Sequence, residues 1–309
     1  MIITCDNCNT RYDLDDSLIS GKPFIKVRCS MCDNRFKVHG KAETDVQLLP
    51  ENIVKADWDK TIAISNQKGG VAKTSTCMNL GVSLAMMGKK VLLVDFDVQA
   101  NLTISLGYPT HSASFFDILK SGTEDITEYI QATRYNNLYL LPSNSKMALL
   151  TKQYMHKPDY EFLLRDRLAS VSGQYDYIII DTPPALGFCT LNALMASHYI
   201  IIPTPCEYLS LHGIHMIEDV IKIVQVRSGR KINYRVLITM HDPQSTAARV
   251  IFKKITNIFQ NKVLQTVIDL DQRMKESQIV HLPVYHYAKQ SSSARQYQQL
   301  AREVAILTA

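Results

Sequence analysis

Apolar residues recur along this chain in two rhythms. Short, nearly unbroken runs read as strands: TIAIS (61–65), KVLLVDFD (90–97), YDYIIID (175–181), HYIIIP (198–203), YRVLITM (234–240) and VLQTVI (263–268). A strand covered on both faces has no reason to alternate with polar residues. Between these runs the apolar positions fall three and four apart, the helical period. TCMNLGVSLAMMG (76–88) is one such stretch, with Gly88 placed to close it in the left-handed cap position, and SARQYQQLAREVAIL (293–307) is the last. Strand alternating with helix predicts an α/β fold, a doubly wound parallel sheet whose ligands sit at the carboxyl ends of its strands. No internal repeat or low-complexity tract interrupts the pattern.

The first forty residues follow neither rhythm. They carry CDNC and CSMC with twenty residues between, placing Cys5, Cys8, Cys29 and Cys32 in two Cys-x2-Cys knuckles. Each knuckle bends around one metal ion, and two supply four thiolates for tetrahedral zinc. So short a segment buries too little apolar surface to fold alone, so metal ligation must supply its folding energy. An iron–sulfur cluster is the other occupant such thiolates can hold, and the long spacer favours zinc. Cys77, Cys189 and Cys206 lie among apolar residues and read as buried, inert thiols. Residues 41–57 are polar, with one proline, and read as a tether. The predicted organisation is therefore a zinc ribbon (1–40), a linker (41–57) and one large α/β domain (58–309).

Charge changes the picture in one place. The net charge is +5, yet residues 222–302 alone carry 14 Lys and Arg against four acidic residues, leaving the rest of the chain at −5. A basic C-terminal third is what a polyanion-binding surface requires, and it is also what solvated helix faces look like. The ribbon has six basic and five acidic residues, with no bias toward nucleic acid. The opening MIITCDNCNT is no secretory leader, and no apolar run approaches the ~18 residues of a membrane span, which together predict a cytoplasmic protein.

The chemistry concentrates in SNQKGGVAKTS (65–75). The general phosphate-loop pattern G-x-x-x-x-G-K-[ST] fails in it twice, with Gln67 at the first glycine and Ala72 at the second. The stretch nonetheless lies between a predicted strand and a predicted helix, where backbone amides and the helix dipole converge on phosphate. Gln67, Gly69, Gly70, Val71, Ala72, Lys73, Thr74 and Ser75 are the candidate phosphate contacts, Gly69 and Gly70 allowing the tight turn. Lys73 would reach the β- and γ-phosphates of a triphosphate, and the Thr74 hydroxyl would ligate magnesium. Asp95, Asp97 and Asp181 fall at strand ends, the places to hold magnesium and a water.

Together with VDFDVQANLT (94–103) and YIIIDTPPALG (177–187), the loop resembles that of the ParA/MinD family of deviant Walker-A ATPases, and PTPCEYLSLHG (203–213) with LITMHD (237–242) points to its ParA branch. That family's loop is K-G-G-x-G-K-[ST]-[ST], often preceded by Asn-Gln, so Gln67 is normal there. The resemblance covers residue 59 to the end. It implies an ATP-hydrolysing domain in which Lys68 crosses a dimer interface to the partner's nucleotide, Asp97 orients the attacking water, Asp95 belongs to the magnesium environment and Asp181 holds the metal's water shell. Ala72 departs from the family glycine, and Val98 departs more mildly from a proline. The implied cycle closes a homodimer on ATP, binds DNA without sequence preference, and is reset by a ParB-like or cargo-adaptor protein, in nucleoid-associated cytoplasm. Arg273 resembles a family arginine used on DNA. A second such arginine is replaced by Gln244, with Arg249, Lys253 and Lys254 available on the following segment. A nucleotide-binding switch or scaffold with little hydrolysis is the alternative. A membrane-bound MinD-like role fits poorly, since the terminal LAREVAILTA is too short and too weakly basic for a membrane helix. CDNCNTRYDLDD and VRCSMCDNRFKV resemble the small zinc ribbon that opens many bacterial proteins, here expected to bind a partner or support the dimer.

Overall fold

The computed structural model describes residues 2–5, 7–8, 10–14, 24–39 and 60–308, so the expected tether and Trp58 lie outside the described residues. The chain divides into two units, Met1–Lys55 and Ala56–Ala309.

In the first unit, β1 (Ile2–Thr4) pairs antiparallel with β2 (Arg11–Asp13), and β3 (Phe24–Arg28) with β4 (Arg35–His39). Each cysteine knuckle forms the turn of one hairpin. The Cys5 amide donates to the Thr10 carbonyl at 2.9 Å and the Cys29 amide to the Asn34 carbonyl at 2.8 Å. Among the described residues Ile3, Cys5, Cys29, Phe36 and Val38 make up the buried core, too little apolar surface to hold a fold unaided.

The second unit holds β5 (Thr61–Ile64), β6 (Val91–Asp95), β7 (Gln131–Ala132), β8 (Leu138–Leu141), β9 (Tyr177–Asp181), β10 (Tyr199–Pro205), β11 (Asn233–His241) and β12 (Val263–Asp269). They lie in the order β12-β11-β10-β5-β9-β6-β8-β7, all parallel except β7, which runs antiparallel to β8 at one edge. Every strand read from the apolar runs is present. Two were not read, β7 and β8.

The helices are α1 (Lys73–Met86), α2 (Asn101–Ser105), α3 (Phe115–Ser121), α4 (Leu149–Tyr154), α5 (Leu163–Leu168) and α6 (Phe188–Ala196). After them come α7 (Ser210–Ser228), α8 (Thr246–Phe259), α9 (Gln272–Ile279), α10 (Val284–Tyr287) and α11 (Ser292–Leu307). Successive strand residues serve opposite faces of the sheet. Val91 and Leu93 of β6, with Tyr177 and Ile179 of β9, pack with α1 and α11, while Leu92, Val94, Ile178 and Ile180 pack with α3 to α6. Further along, Ile200 and Ile202 of β10 pack with α7 and α8. Burial on both faces is the physical reason the strands read as unbroken apolar runs. α1 lies close on the sheet: a Cβ at Gly81 would stand 2.6 Å from Leu93 Cδ2. Gly88 follows α1 at φ +80°, its amide donating to the Ala85 carbonyl at 2.9 Å, as the cap pattern predicts.

Candidate functional site

The loop after β5 is pinned by its neighbours. The Ser65 amide donates to the Ile201 carbonyl (3.0 Å), and buried Asn66 donates through Nδ2 to the Pro203 carbonyl (2.8 Å) while accepting the Lys68 amide (3.0 Å). Two loop carbonyls are turned into the protein: that of Lys68 accepts from Lys73 Nζ at 2.9 Å and that of Val71 from the Thr239 hydroxyl at 3.2 Å. α1 then begins after Ala72, which occupies the cap position and supplies no side-chain cap, and its first turn has no acidic residue. A helix start without a cap, with its dipole aimed at the loop, is a site for an anion. Gly70 (φ +72°) and Ala72 (φ +70°) both take the left-handed conformation. The alanine therefore sits where the backbone favours glycine, at a cost of about 1–2 kcal/mol.

Sheet order sets the carboxylates. β5, β9 and β6 are neighbours, and the register places Ile64 and Asp95 each opposite Asp181. Asp181 is fully buried. Its Oδ2 accepts the Thr74 hydroxyl at 2.7 Å, and its Oδ1 finds no donor among the described residues. Burial pushes its carboxyl well up, with Asp95 adding to the effect and Thr74 opposing it. A buried carboxylate oxygen without a partner is costly unless a cation meets it. Thr74 and Asp181 offer the hard oxygen ligands that magnesium takes, so the residues present fit that ion. Lys73 is nearly buried, and desolvation lowers its pKa against the pull of Asp181 and Asp97. Asp97 is buried on the cavity wall, its Oδ1 accepting the Gln99 amide at 3.0 Å.

Asp95 is buried at the end of β6. Its Oδ2 accepts both the amide (2.8 Å) and the hydroxyl (2.7 Å) of Thr103, and its Oδ1 accepts the Asp97 amide at 3.2 Å. These bonds fix the turn into α2 and hold the Asp97 amide. Lys68 points away from its own loop and forms an ion pair with Glu207, both side chains exposed.

The loop opens on a cavity of about 540 Å³ that the sequence did not reveal beyond the loop itself. Its far wall comes from the C-terminal third: Ile268 and Leu270 at the end of β12, and Met274, Lys275 and Gln278 on α9. Gln278 Nε2 donates to the Ser75 hydroxyl at 2.7 Å, tying α9 to the start of α1. Nothing in DLDQRMKESQI distinguishes these residues from a solvated helix. Met240, on the same cavity, holds φ +50°.

The four basic candidates belong to two helices that begin at the carboxyl ends of adjacent strands, β11 and β12. All are exposed. Arg249 folds back on its helix, donating to the Pro243 carbonyl (3.2 Å) and the Thr246 hydroxyl (3.1 Å), and Arg273 pairs with Glu276 at 3.1 Å. Lys253 and Lys254 form no ion pair among the described residues.

In the small unit, the Sγ atoms of Cys5, Cys8, Cys29 and Cys32 all lie within 4.8 Å of one another, with Cys5–Cys32 at 3.6 Å and Cys8–Cys29 at 3.5 Å. A tetrahedral zinc with bonds of about 2.3 Å sets its sulfurs about 3.8 Å apart, so the cage fits that ion. The Tyr12 hydroxyl stands 2.9 Å from Cys29 Sγ, and this hydrogen bond, the largest of several effects, brings that thiol down to about 6. Among the described residues no helix is long and apolar enough to cross a membrane.

A strand–loop–helix anion site with Thr74 and Asp181 beneath it, at the carboxyl edge of a doubly wound sheet, defines a P-loop nucleotide-hydrolase domain behind a zinc ribbon. Residues 59–234 match the family model of an AAA domain and residues 1–37 that of a zinc-ribbon domain. The chain is 37% identical over 246 residues to the chromosome-partitioning ATPase Soj of Treponema pallidum, covering 79% of this chain and 96% of that one. It is 38% identical over 249 residues to the sporulation initiation inhibitor protein Soj of Bacillus subtilis, covering 80% and 98%. The chain belongs to this Soj/ParA family of ATPases. Cobyrinic acid a,c-diamide synthase of Mycobacterium smegmatis, solved with ADP and magnesium, superposes with a TM-score of 0.70 at 31% identity, covering 80% of this chain and 94% of that one.

Proposed function

We propose that the chain closes as a homodimer over ATP and magnesium, binds DNA without sequence preference in that state, and segregates DNA or positions another cargo with a ParB-like or adaptor protein that triggers hydrolysis. The observation that carries this is the unpartnered Asp181 Oδ1 beside the Thr74 hydroxyl, below a phosphate loop whose helix start is uncapped. Amides from Gln67 to Ser75 would hold the phosphates, with the purine against Ile268, Leu270 and Met274. Magnesium, held by Thr74 and through the Asp181 carboxylate, would neutralise charge on the phosphate oxygens. Lys73 would exchange the Lys68 carbonyl for phosphate, and Asp97 would orient the attacking water. Cys5, Cys8, Cys29 and Cys32 would hold zinc. Arg273, Arg249, Lys253 and Lys254 would supply phosphate-backbone contacts, which need positive charge in an array rather than fixed positions.

Lys68 would act in trans, leaving Glu207 for the partner's nucleotide. An exposed ion pair contributes about 0–1 kcal/mol, so little opposes the exchange. Lys68→Ala tests the proposal. Monomer melting and ATP affinity should stay near wild type, while ATP-induced dimerisation is lost and single-turnover hydrolysis with DNA falls by about 10³-fold, the scale of an arginine finger. Wild-type hydrolysis and dimerisation in the variant would refute the trans role. A nucleotide switch with little turnover is a second reading, favoured by the left-handed Ala72. Full ATP-dependent dimerisation with no hydrolysis in the wild type would select it.

A further inference from the structure

Counted by composition, the ribbon is nearly neutral; folded, four of its cations share one surface of the β3–β4 hairpin. Along β3 and β4 burial alternates. Phe36 and Val38 are buried and Ile25 and Val27 half-buried against the metal core, whereas Phe24, Lys26, Arg28, Arg35 and Lys37 are exposed on the opposite face. The hairpin register sets Lys26 directly across from Lys37 and Arg28 directly across from Arg35. Like charges facing one another weaken a strand pair, and among the described residues of this unit five form the buried core. Among the described residues one carboxylate, Asp33, pairs with this face, through Arg28, and both side chains are exposed. Lys37 Nζ sits 4.8 Å over the Phe24 ring.

A two-by-two grid of cations, spaced about 7 Å along the strands and about 5 Å across them, answers a dense polyanion. The choice between nucleic acid and an acidic protein segment follows from what the face lacks. Peptide recognition relies on apolar anchors in pockets, and the large exposed apolar residues here, Phe24 and Met31, lie apart on the row and on the knuckle. Phosphate backbone needs charge alone.

We propose that the β3–β4 face of the ribbon is a second nucleic-acid contact, which binds the phosphate backbone of DNA without sequence preference and without ATP. It is separate from the ATP-gated contact proposed above. It gives the chain a weak, constant hold on DNA, between rounds of the stronger one.

Lys37→Glu in the full-length, zinc-loaded chain is the deciding variant, because it moves two readouts in opposite directions. Facing Lys26 with a carboxylate turns a like-charge pair into an opposite-charge pair, so the hairpin should hold zinc at least as well as wild type against a competing chelator. DNA binding should weaken. With no nucleotide present, anisotropy of a labelled random-sequence duplex should report wild-type binding that falls steeply with salt. In Lys37→Glu the affinity should drop about tenfold at low salt and the log–log slope flatten by about 1–2. Lys37→Arg should bind as wild type does. Absence of nucleotide-free DNA binding in the wild type, equal binding by Lys37→Glu, or capture of polyglutamate in preference to DNA would each overturn the proposal. None of these readouts depends on ATP, so the result stands apart from the fate of the ATPase cycle.

Discussion

Ala72 is where the phosphate loop departs from its family and where the backbone makes that departure measurable. At φ +70° an L-residue costs about 1–2 kcal/mol relative to glycine. Ala72→Gly removes that cost, while the greater freedom of glycine in the unfolded chain takes back about 0.5–1 kcal/mol. The net gain, about 0.5–1 kcal/mol, should raise the melting temperature of a unit this large by about 1–4 °C. Nucleotide affinity reads a different quantity. If the loop keeps one backbone conformation with and without ATP, the strain cancels, and what remains is the methyl group on the cavity wall facing the phosphates. Relief of about 1 kcal/mol there corresponds to about fivefold tighter binding. Melting of the ligand-free chain and calorimetric titration with Mg·ATP therefore separate the two effects. A melting temperature unchanged or lowered in Ala72→Gly refutes the left-handed account. A raised one with wild-type affinity shows that the methyl clears the ligand.

Two further outcomes follow from buried groups. Burial raises Asp95 from 3.8 to about 6, so the folded chain holds its proton more tightly than the unfolded chain, and this group's contribution to stability falls as pH rises from about 4 to 6. Asp95→Asn does not titrate. Wild-type stability relative to that variant, measured by urea unfolding, should drop by about 2 kcal/mol between pH 4 and 7, and a pH-independent difference would show that Asp95 is not buried as described. Stripping the ribbon metal with a strong chelator should expose four thiols, Cys5, Cys8, Cys29 and Cys32, to a thiol reagent at once. Cys77, Cys189 and Cys206 should stay slow, since burial pushes Cys77 well up, Cys189 to about 12 and Cys206 to about 11. An unchanged count of fast thiols would contradict the cage.

What was legible in the sequence is what burial writes twice. Strands such as YIIID, covered on both faces, left unbroken apolar runs, and Gly88 and the paired knuckles are local constraints that composition displays directly. The four-residue LYLL of β8 and the two-residue β7 are too short to separate from a loop by periodicity. A carboxylate at a strand end can serve a ligand or the next helix, and the bond from Thr103, eight residues on, to Asp95 was not legible in the sequence. The segregation of charge on the ribbon was invisible for a related reason. A count of cations and anions carries no register, and register is what puts Lys26 opposite Lys37.

The far wall of the cavity offers a short route by which the DNA contact proposed for Arg273 would be linked to the nucleotide. α9 is only eight residues long. At its start, Asp271 accepts the hydroxyls of Ser292 (3.1 Å) and Ser293 (2.7 Å) on α11, and near its end Gln278 grips Ser75 beside the phosphate loop. Met274 and Lys275 between them border the cavity, and Arg273 on the same helix is turned to solvent, held by Glu276. A ligand that pressed on Met274 or drew Ser75 toward its phosphates would act on α9 itself, without a relay of packed side chains. The competing route runs through the sheet and would have to shift β11 or β12, strands hydrogen-bonded to each other and covered by helices, where displacement costs packing along the whole element. A short helix fastened at its two ends to the cavity is the softer path, and it is the one on which Arg273 stands.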